Sequence, residues 1–219
     1  MIDLRDRIRL GRWGVLVLAL GTIATTACSD DDPTGVVDPP DNLPESQLTF
    51  LRQAVQAPVL VTYDTTVVAT AGESLDLEIR YAPAPGQDSG EKFLEFELDA
   101  ESLLRYPPNH PTRPGEAFQP GDTVWIRVIV DQELLVATLE PSGLAFDPLE
   151  PAELEIRYVN ADDDYDDDGD SDPELEDDID LWRQESPGDD WERAGDLKDL
   201  ETDRIRALLT GFSRYGLGI

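Results

Sequence analysis

Ser74-Leu75-Asp76-Leu77-Glu78-Ile79-Arg80-Tyr81 is the stretch on which the fold turns. Its apolar residues Leu75, Leu77, Ile79 and Tyr81 fall at every second position, with Asp76, Glu78 and Arg80 between them. Successive side chains of a strand point to opposite faces, so this period of two describes a strand with one side in a core and the other in water. The same alternation returns in residues 92–98 (Leu94, Phe96, Leu98), 123–131 (Val124, Ile126, Val128, Val130) and 153–159 (Leu154, Ile156, Tyr158). Residues 133–140 read as a strand that pairs with 123–131 or lies across the core. Shorter strands are expected at 179–183, 203–209 and 212–217. Pro and Gly gather between these runs, as in APAPGQDSG, YPPNHPTRPG and ESPGDD, and supply the turns. Many short half-buried strands with such punctuation predict an all-β fold, an antiparallel β-sandwich. The LEIRY repeat at 77–81 and 154–158 is read as two similar strands rather than a duplication. Only residues 46–56 predict a helix, a short one with Ser46 as N-cap.

Upstream the chain changes character. Arg5, Arg7, Arg9 and Arg12 precede an apolar run from Trp13 to Ala24, and Thr25, Thr26 and Ala27 lead to Cys28, the single cysteine. Basic, apolar and small residues in that order follow the grammar of a secretory signal. The apolar run is about 12 residues, short of the roughly 20 that span a bilayer. Cys28 resembles the acylated lipobox cysteine of bacterial lipoproteins, with Ala27 fitting that pattern and Thr25 standing where it prefers Leu. The resemblance implies cleavage before Cys28 and attachment to the membrane through acyl chains on it. Ser29, where enterobacterial inner-membrane lipoproteins carry Asp, points to the outer membrane. Residues 1–27 are therefore the signal, residues 28–47 a disordered Asp- and Pro-rich tether, and residues 48–219 the sandwich.

The chain holds 48 acidic and 17 basic residues, a net charge of −31. Phosphate recognition needs clustered Lys and Arg, so nucleic acid is excluded as a partner. Cations and basic proteins suit such a field. A lone cysteine makes no internal disulfide, which leaves packing to hold the domain.

Negative charge is densest in residues 160–178, NADDDYDDDGDSDPELEDD, where no basic residue occurs. Asp164, Asp166, Asp168, Gly169 and Asp170 follow the start of a calcium loop, in which oxygen ligands recur at alternate positions and Gly makes the sharp turn. Asp172 falls on the ninth position. Leu175 occupies the twelfth, so Glu174, Glu176 or Asp178 has to supply the last carboxylate; Glu176 completes the expected ligand set. The competing reading is a solvated, disordered insertion.

Catalytic patterns are not legible. His110 is the single histidine and sits in the loop PPNHPTRP, and neither a nucleophile elbow, a dinucleotide fingerprint nor a P-loop occurs. Trp125, Trp182 and Trp191 are read as core or hairpin packing, with a carbohydrate platform as the alternative.

The run Pro141-Ser142-Gly143-Leu144-Ala145-Phe146, then Pro151-Ala152-Glu153-Leu154-Glu155-Ile156-Arg157-Tyr158, Leu181-Trp182, Trp191 and Gly211-Phe212-Ser213-Arg214-Tyr215 resembles the ZU-five-type β-sandwich of ankyrins and netrin receptors over residues 58–219. Bacterial lipoproteins carry a related C-terminal module. The resemblance implies that the first two runs form adjacent strands, that a Trp hairpin follows, and that the last run is the final strand, with Gly216 in place of the usual Ala. It also implies a scaffold or binding module and carries no catalytic residues. The expected function is thus a non-enzymatic, lipid-anchored envelope protein with a structural calcium loop. An accessory module binding glycan through exposed Trp182 and Trp191 is the alternative, and a hydrolase using a carboxylate pair ranks third.

Overall fold

The computed structural model describes residues 42–166, 168–195 and 197–219. The leader, Cys28 and the first part of the tether lie outside them. In chain order the strands are β1 (Asn42–Leu43), β2 (Asp64–Thr70), β3 (Leu75–Arg80), β4 (Lys92–Leu98), β5 (Leu103–Arg105), β6 (Thr123–Asp131), β7 (Val136–Glu140), β8 (Ala145–Phe146), β9 (Ala152–Arg157), β10 (Asp180–Gln184), β11 (Trp191–Arg193), β12 (Leu197–Asp199), β13 (Arg204–Leu209) and β14 (Arg214–Gly218). A seven-stranded sheet runs β1-β11-β10-β14-β7-β6-β2, and a five-stranded sheet runs β12-β13-β9-β4-β3. The strand pairs are antiparallel. The all-β sandwich expected from the alternation is what the chain forms. No helix among the described residues is long and apolar enough to cross a membrane.

The core follows from the period-two pattern. Leu77 and Ile79 of β3, Leu94 and Phe96 of β4, and Leu154 and Ile156 of β9 meet Ile126 and Val128 of β6, Leu139 of β7 and Leu217 of β14 in one buried cluster. Phe93 is buried as well, out of step with Leu94, because the β3–β4 register shifts between Ile79 and Arg80. The two LEIRY strands, β3 and β9, flank β4 on either side. They are alike because each packs the same kind of half-buried face against a shared neighbour.

On the outer face of the five-stranded sheet, Glu78, Glu95 and Glu155 are cross-strand neighbours. Like charges side by side are unfavourable unless cations intervene. Lys92 reaches both Glu78 and Glu95. Glu155 is only 3% exposed and accepts from Arg157 (2.8 Å), Arg204 (3.3 Å) and Arg206 (3.2 Å). Burial alone would raise its pKa; the three guanidinium groups overcome this and hold it below the usual value.

The stretch 46–56 is not a helix. A short 3-10 turn, Glu45–Gln47, leads into an extended strap laid across the seven-stranded sheet. Thr49 N–H donates to Ile219 O and Leu51 N–H to Leu217 O, so the strap's backbone is satisfied by β14 and the residue after it. Leu48, Val136, Trp182 and Trp191 form a second buried cluster under the strap, with Leu43 and Phe50 against it. This packing explains the glycines of β14. A Cβ on Gly216 would lie 2.9 Å from Phe50 Cε1, and one on Gly218 would lie 2.7 Å from Thr49 O. Residues 42–47, counted with the tether from sequence, belong to the folded domain, since Asn42 and Leu43 pair with Glu192 and Trp191.

One implication of the sandwich resemblance fails. β8, in the Pro141–Phe146 run, pairs with β5 in a separate two-stranded sheet, while β9 pairs with β4 and β13. The two runs are not neighbours. Trp182 and Trp191 lie on the antiparallel pair β10–β11, and β14 pairs with β10.

Candidate metal centre

The acidic loop is sewn to the domain. Asp162 N–H donates to Arg52 O at 2.7 Å, Ala54 N–H to Asn160 O at 3.0 Å, and Gln53 bridges to Ala161. The partly buried Tyr165 packs against the core. Further on, Pro173–Asp178 makes a 3-10 turn, with Pro173 suited to its first position. Lys198 Nζ donates to Asp177 O at 2.5 Å.

Between these anchors the chain wraps on its own carboxylates. Asp168 N–H donates to Asp164 Oδ1 (3.0 Å) and Asp166 Oδ1 (3.1 Å), Gly169 N–H to Asp164 Oδ2 (3.0 Å), and Asp170 N–H to Asp168 Oδ1 (3.0 Å). Gly169 has φ +98°, the left-handed turn that the glycine of a calcium loop supplies. Asp172 N–H then donates to Asp163 O at 2.7 Å and Ser171 Oγ to Asp163 Oδ2 at 2.7 Å, closing the loop.

Asp164, Asp166, Asp168 and Asp172 each bring one carboxylate oxygen to within 4.8 Å of the others. They are the first, third, fifth and ninth positions read from the sequence. Asp172 differs from the rest. It is 8% exposed, and its Oδ2 is buried without a hydrogen-bond partner among the described residues. Burial first, then the charges of Asp166 and Asp168, raises its pKa, against the pull of the Asp166 and Tyr165 N–H groups. A buried carboxylate oxygen that lacks a donor is costly unless a proton or a cation meets it. Four carboxylates supply hard oxygen ligands of the kind calcium takes.

Two expected ligands stand outside the cluster. Asp170 is exposed and contributes no atom to it. Glu176 Oε1 accepts from Tyr158 Oη at 3.2 Å, which ties it to the end of β9. The sequence spacing of Glu176 was suitable; the tyrosine that claims it lies 18 residues earlier and gave no local signal. Asp76, Glu78 and Glu95 form a second carboxylate group on the five-stranded sheet, but Lys92 already sits between Glu78 and Glu95.

No family model, curated protein or solved structure matches the chain. Its own geometry is therefore what bears on function.

The other candidate residues resolve as follows. His110 Nδ1 accepts the N–H groups of Thr112 and Arg113, and its ring lies against Tyr106. It shapes the loop between β5 and β6. Trp182 and Trp191 are 2% and 0% exposed, and Trp182 Nε1 donates to Gly218 O at 3.0 Å. The strap covers them, so they offer no face to a sugar. Trp125, expected to pack, is instead 69% exposed. Alternation explains it, because Val124 and Ile126 take the inward positions on β6. As for a carboxylate pair, Glu97 and Glu153 oppose each other on β4 and β9 and line a shallow cavity of about 220 Å³ with Asp99, Pro151 and Leu208. Burial, then the charges of Glu95, Glu153 and Asp76, raises the pKa of Glu97. These side chains crowd on one flat sheet face, an arrangement that accounts for the shift without a substrate.

Proposed function

We propose that the chain is a non-enzymatic, lipid-anchored cell-envelope protein, a β-sandwich binding or scaffold module that carries a structural calcium site in residues 160–178. The observation that carries the calcium reading is Asp172, whose buried Oδ2 lacks a donor among the described residues while Asp164, Asp166 and Asp168 close around the same point. A divalent cation there relieves the repulsion among four carboxylates and orders the loop between β9 and β10. Its role is structural, because the loop is anchored to Arg52, Ala54 and Tyr158. The partner is an envelope protein or a glycan.

Calorimetry and thermal melts of the detergent-solubilised chain test this. Calcium at about a hundred times its dissociation constant adds about 2.7 kcal/mol. At this chain size that raises the melting temperature by roughly 5–10 °C. Asp166→Asn/Asp168→Asn abolishes both heat and shift. Absence of either response at millimolar calcium sinks the site.

The anchor is supported by the order Arg5 to Arg12, Trp13 to Ala24, Ala27-Cys28, and Ser29 favours the outer membrane. Metabolic labelling with a fatty acid is expected to mark the chain and co-sediment it with membranes. Cys28→Ala is expected to lose both. A labelled or membrane-bound Cys28→Ala chain would refute acylation at that residue.

A further inference from the structure

Among the described residues the seven-stranded sheet ends at β2, which pairs there on one side only, with β6. Val130 N–H donates to Tyr63 O and Ala71 N–H to Asp122 O. Hydrogen-bonded positions alternate along an antiparallel pair, so Thr65, Val67 and Ala69 bond to β6 as well. Asp64, Thr66, Val68 and Thr70 then turn their N–H and C=O groups towards the open edge. Of these groups, Thr70 O is taken by Glu73 N–H and Asp64 O by Thr62 Oγ1.

Exposed edges usually carry a device against pairing: brevity, a charge, a proline, a bulge or a cover. The other edges have one. β1 and β12 are two and three residues long. β3 bears Asp76, Glu78 and Arg80, and the end of its edge is covered, with Val61 N–H on Arg80 O and Ala82 N–H on Val59 O. β2 is less protected: its seven residues, DTTVVAT, hold no proline or lysine, its register with β6 runs unbroken, and its single charge, Asp64, is paired with Arg127. Val68, 41% exposed, lies opposite Trp125 on the outer face.

Charge selects the occupant. Thr65–Thr70 is uncharged in a chain of −31, and Asp64 at its start is clasped by Arg127 at 2.6 and 2.8 Å. The Arg127 hydrogen bond holds the Asp64 pKa below its ordinary value. A cationic strand finds no free carboxylate along this edge, and an anionic strand finds no free cation. A neutral strand fits, and this chain supplies one that complements itself. Laid antiparallel about a two-fold axis, each Thr66 faces the second copy's Val68 and each Asp64 faces the second copy's Thr70. All seven residues overlap, and the free outward backbone groups of Thr66 and Val68 meet their counterparts, while at the two Asp64–Thr70 pairs the Thr62 and Glu73 hydrogen bonds have to give way. The two Val68 side chains become diagonal neighbours on the outer face, within reach of each other. They extend the apolar strip from one Trp125 towards the other.

We propose that β2 is a homodimer interface, joining the seven-stranded sheets of two copies into one continuous sheet. It stands independently of the calcium and acyl readings. The net charge of −31 repels a second copy of the chain, so the association strengthens as salt screens it.

Sedimentation equilibrium of the full chain carrying Cys28→Ala, which removes any acyl group, tests the interface at low and high salt. A monomer–dimer equilibrium is expected, tighter at high salt. Thr66→Pro removes an N–H that faces only the open edge, and Val68→Lys places a charge there. Each is expected to weaken dimerisation by at least about tenfold while the melting temperature of the monomer holds. A chain that stays monomeric at about a hundred micromolar in high salt overturns the proposal, as does a dimer indifferent to both substitutions.

Discussion

Trp191→Ala is expected to lower the unfolding free energy by about 3–5 kcal/mol, read as a fall in the urea midpoint at constant slope. Trp191 is fully buried, yet it lies on the outer face of the seven-stranded sheet, in the cluster with Leu48, Val136 and Trp182. Phe50 meets its ring edge-on at 4.7 Å, and the Arg214 guanidinium sits 5.3 Å from its centroid. Truncation removes the floor on which the strap rests, so the cost includes a cavity and the loosening of the chain from Leu43 to Leu51. Faster proteolysis at the strap should accompany the loss. Trp191→Phe keeps the aromatic contact and is expected to cost less than half as much. A loss under about 1 kcal/mol for the alanine variant would place the ring in solvent and reopen a carbohydrate role for it.

Gly90→Ala is expected to be worse still, costing about 4 kcal/mol or more and lowering the melting temperature by about 10 °C. A Cβ at this position would stand 1.8 Å from Tyr81 O and 2.6 Å from Tyr81 C. These are backbone atoms, so no rotamer relieves the clash, and the strands must part. Tyr81 N–H donates to Glu91 O at 2.9 Å, and the Tyr81 side chain is fully buried, so the displacement reaches the core. Gly86→Ala, in the same loop, separates this effect from ordinary glycine strain. Gly86 has φ +91° with nothing within 4 Å of its Cβ position, and its replacement is expected to cost only about 1 kcal/mol. Equal melting temperatures for the two variants would show that the close approach of Gly90 to Tyr81 is not what the position requires.

The strands at 75–80, 92–98, 123–131 and 152–157 were legible because each buries one face, and a half-buried face writes a period of two into the chain. The strap was not. Leu48, Phe50 and Leu51 are spaced as on a short helix, and what holds them extended is β14 at the other end of the sequence, with Gly216 and Gly218 kept bare to receive them. Propensity yields there to tertiary contact. In the acidic loop, Asp164, Asp166, Asp168 and Asp172 were readable from spacing because a loop wrapping on itself keeps local order. Glu176 stands outside that cluster, and the hydrogen bond from Tyr158 that holds it comes from another turn of the chain. Trp125 shows a different gap: residue type suggested packing, while its position between Val124 and Ile126 had already placed it outside.

The position of β14 has a consequence for how the protein folds. β14 lies between β10 and β7, yet it is the last strand in chain order. Until Arg214–Gly218 docks, the β6–β7 and β10–β11 hairpins lack the strand that joins them. Each then presents an open edge, at β7 and at β10, and the strap has no β14 to lie on. Such waiting edges invite wrong pairing, and late, non-local closure is slow. The seven-stranded sheet therefore completes only once Arg214–Gly218 is in place between β10 and β7.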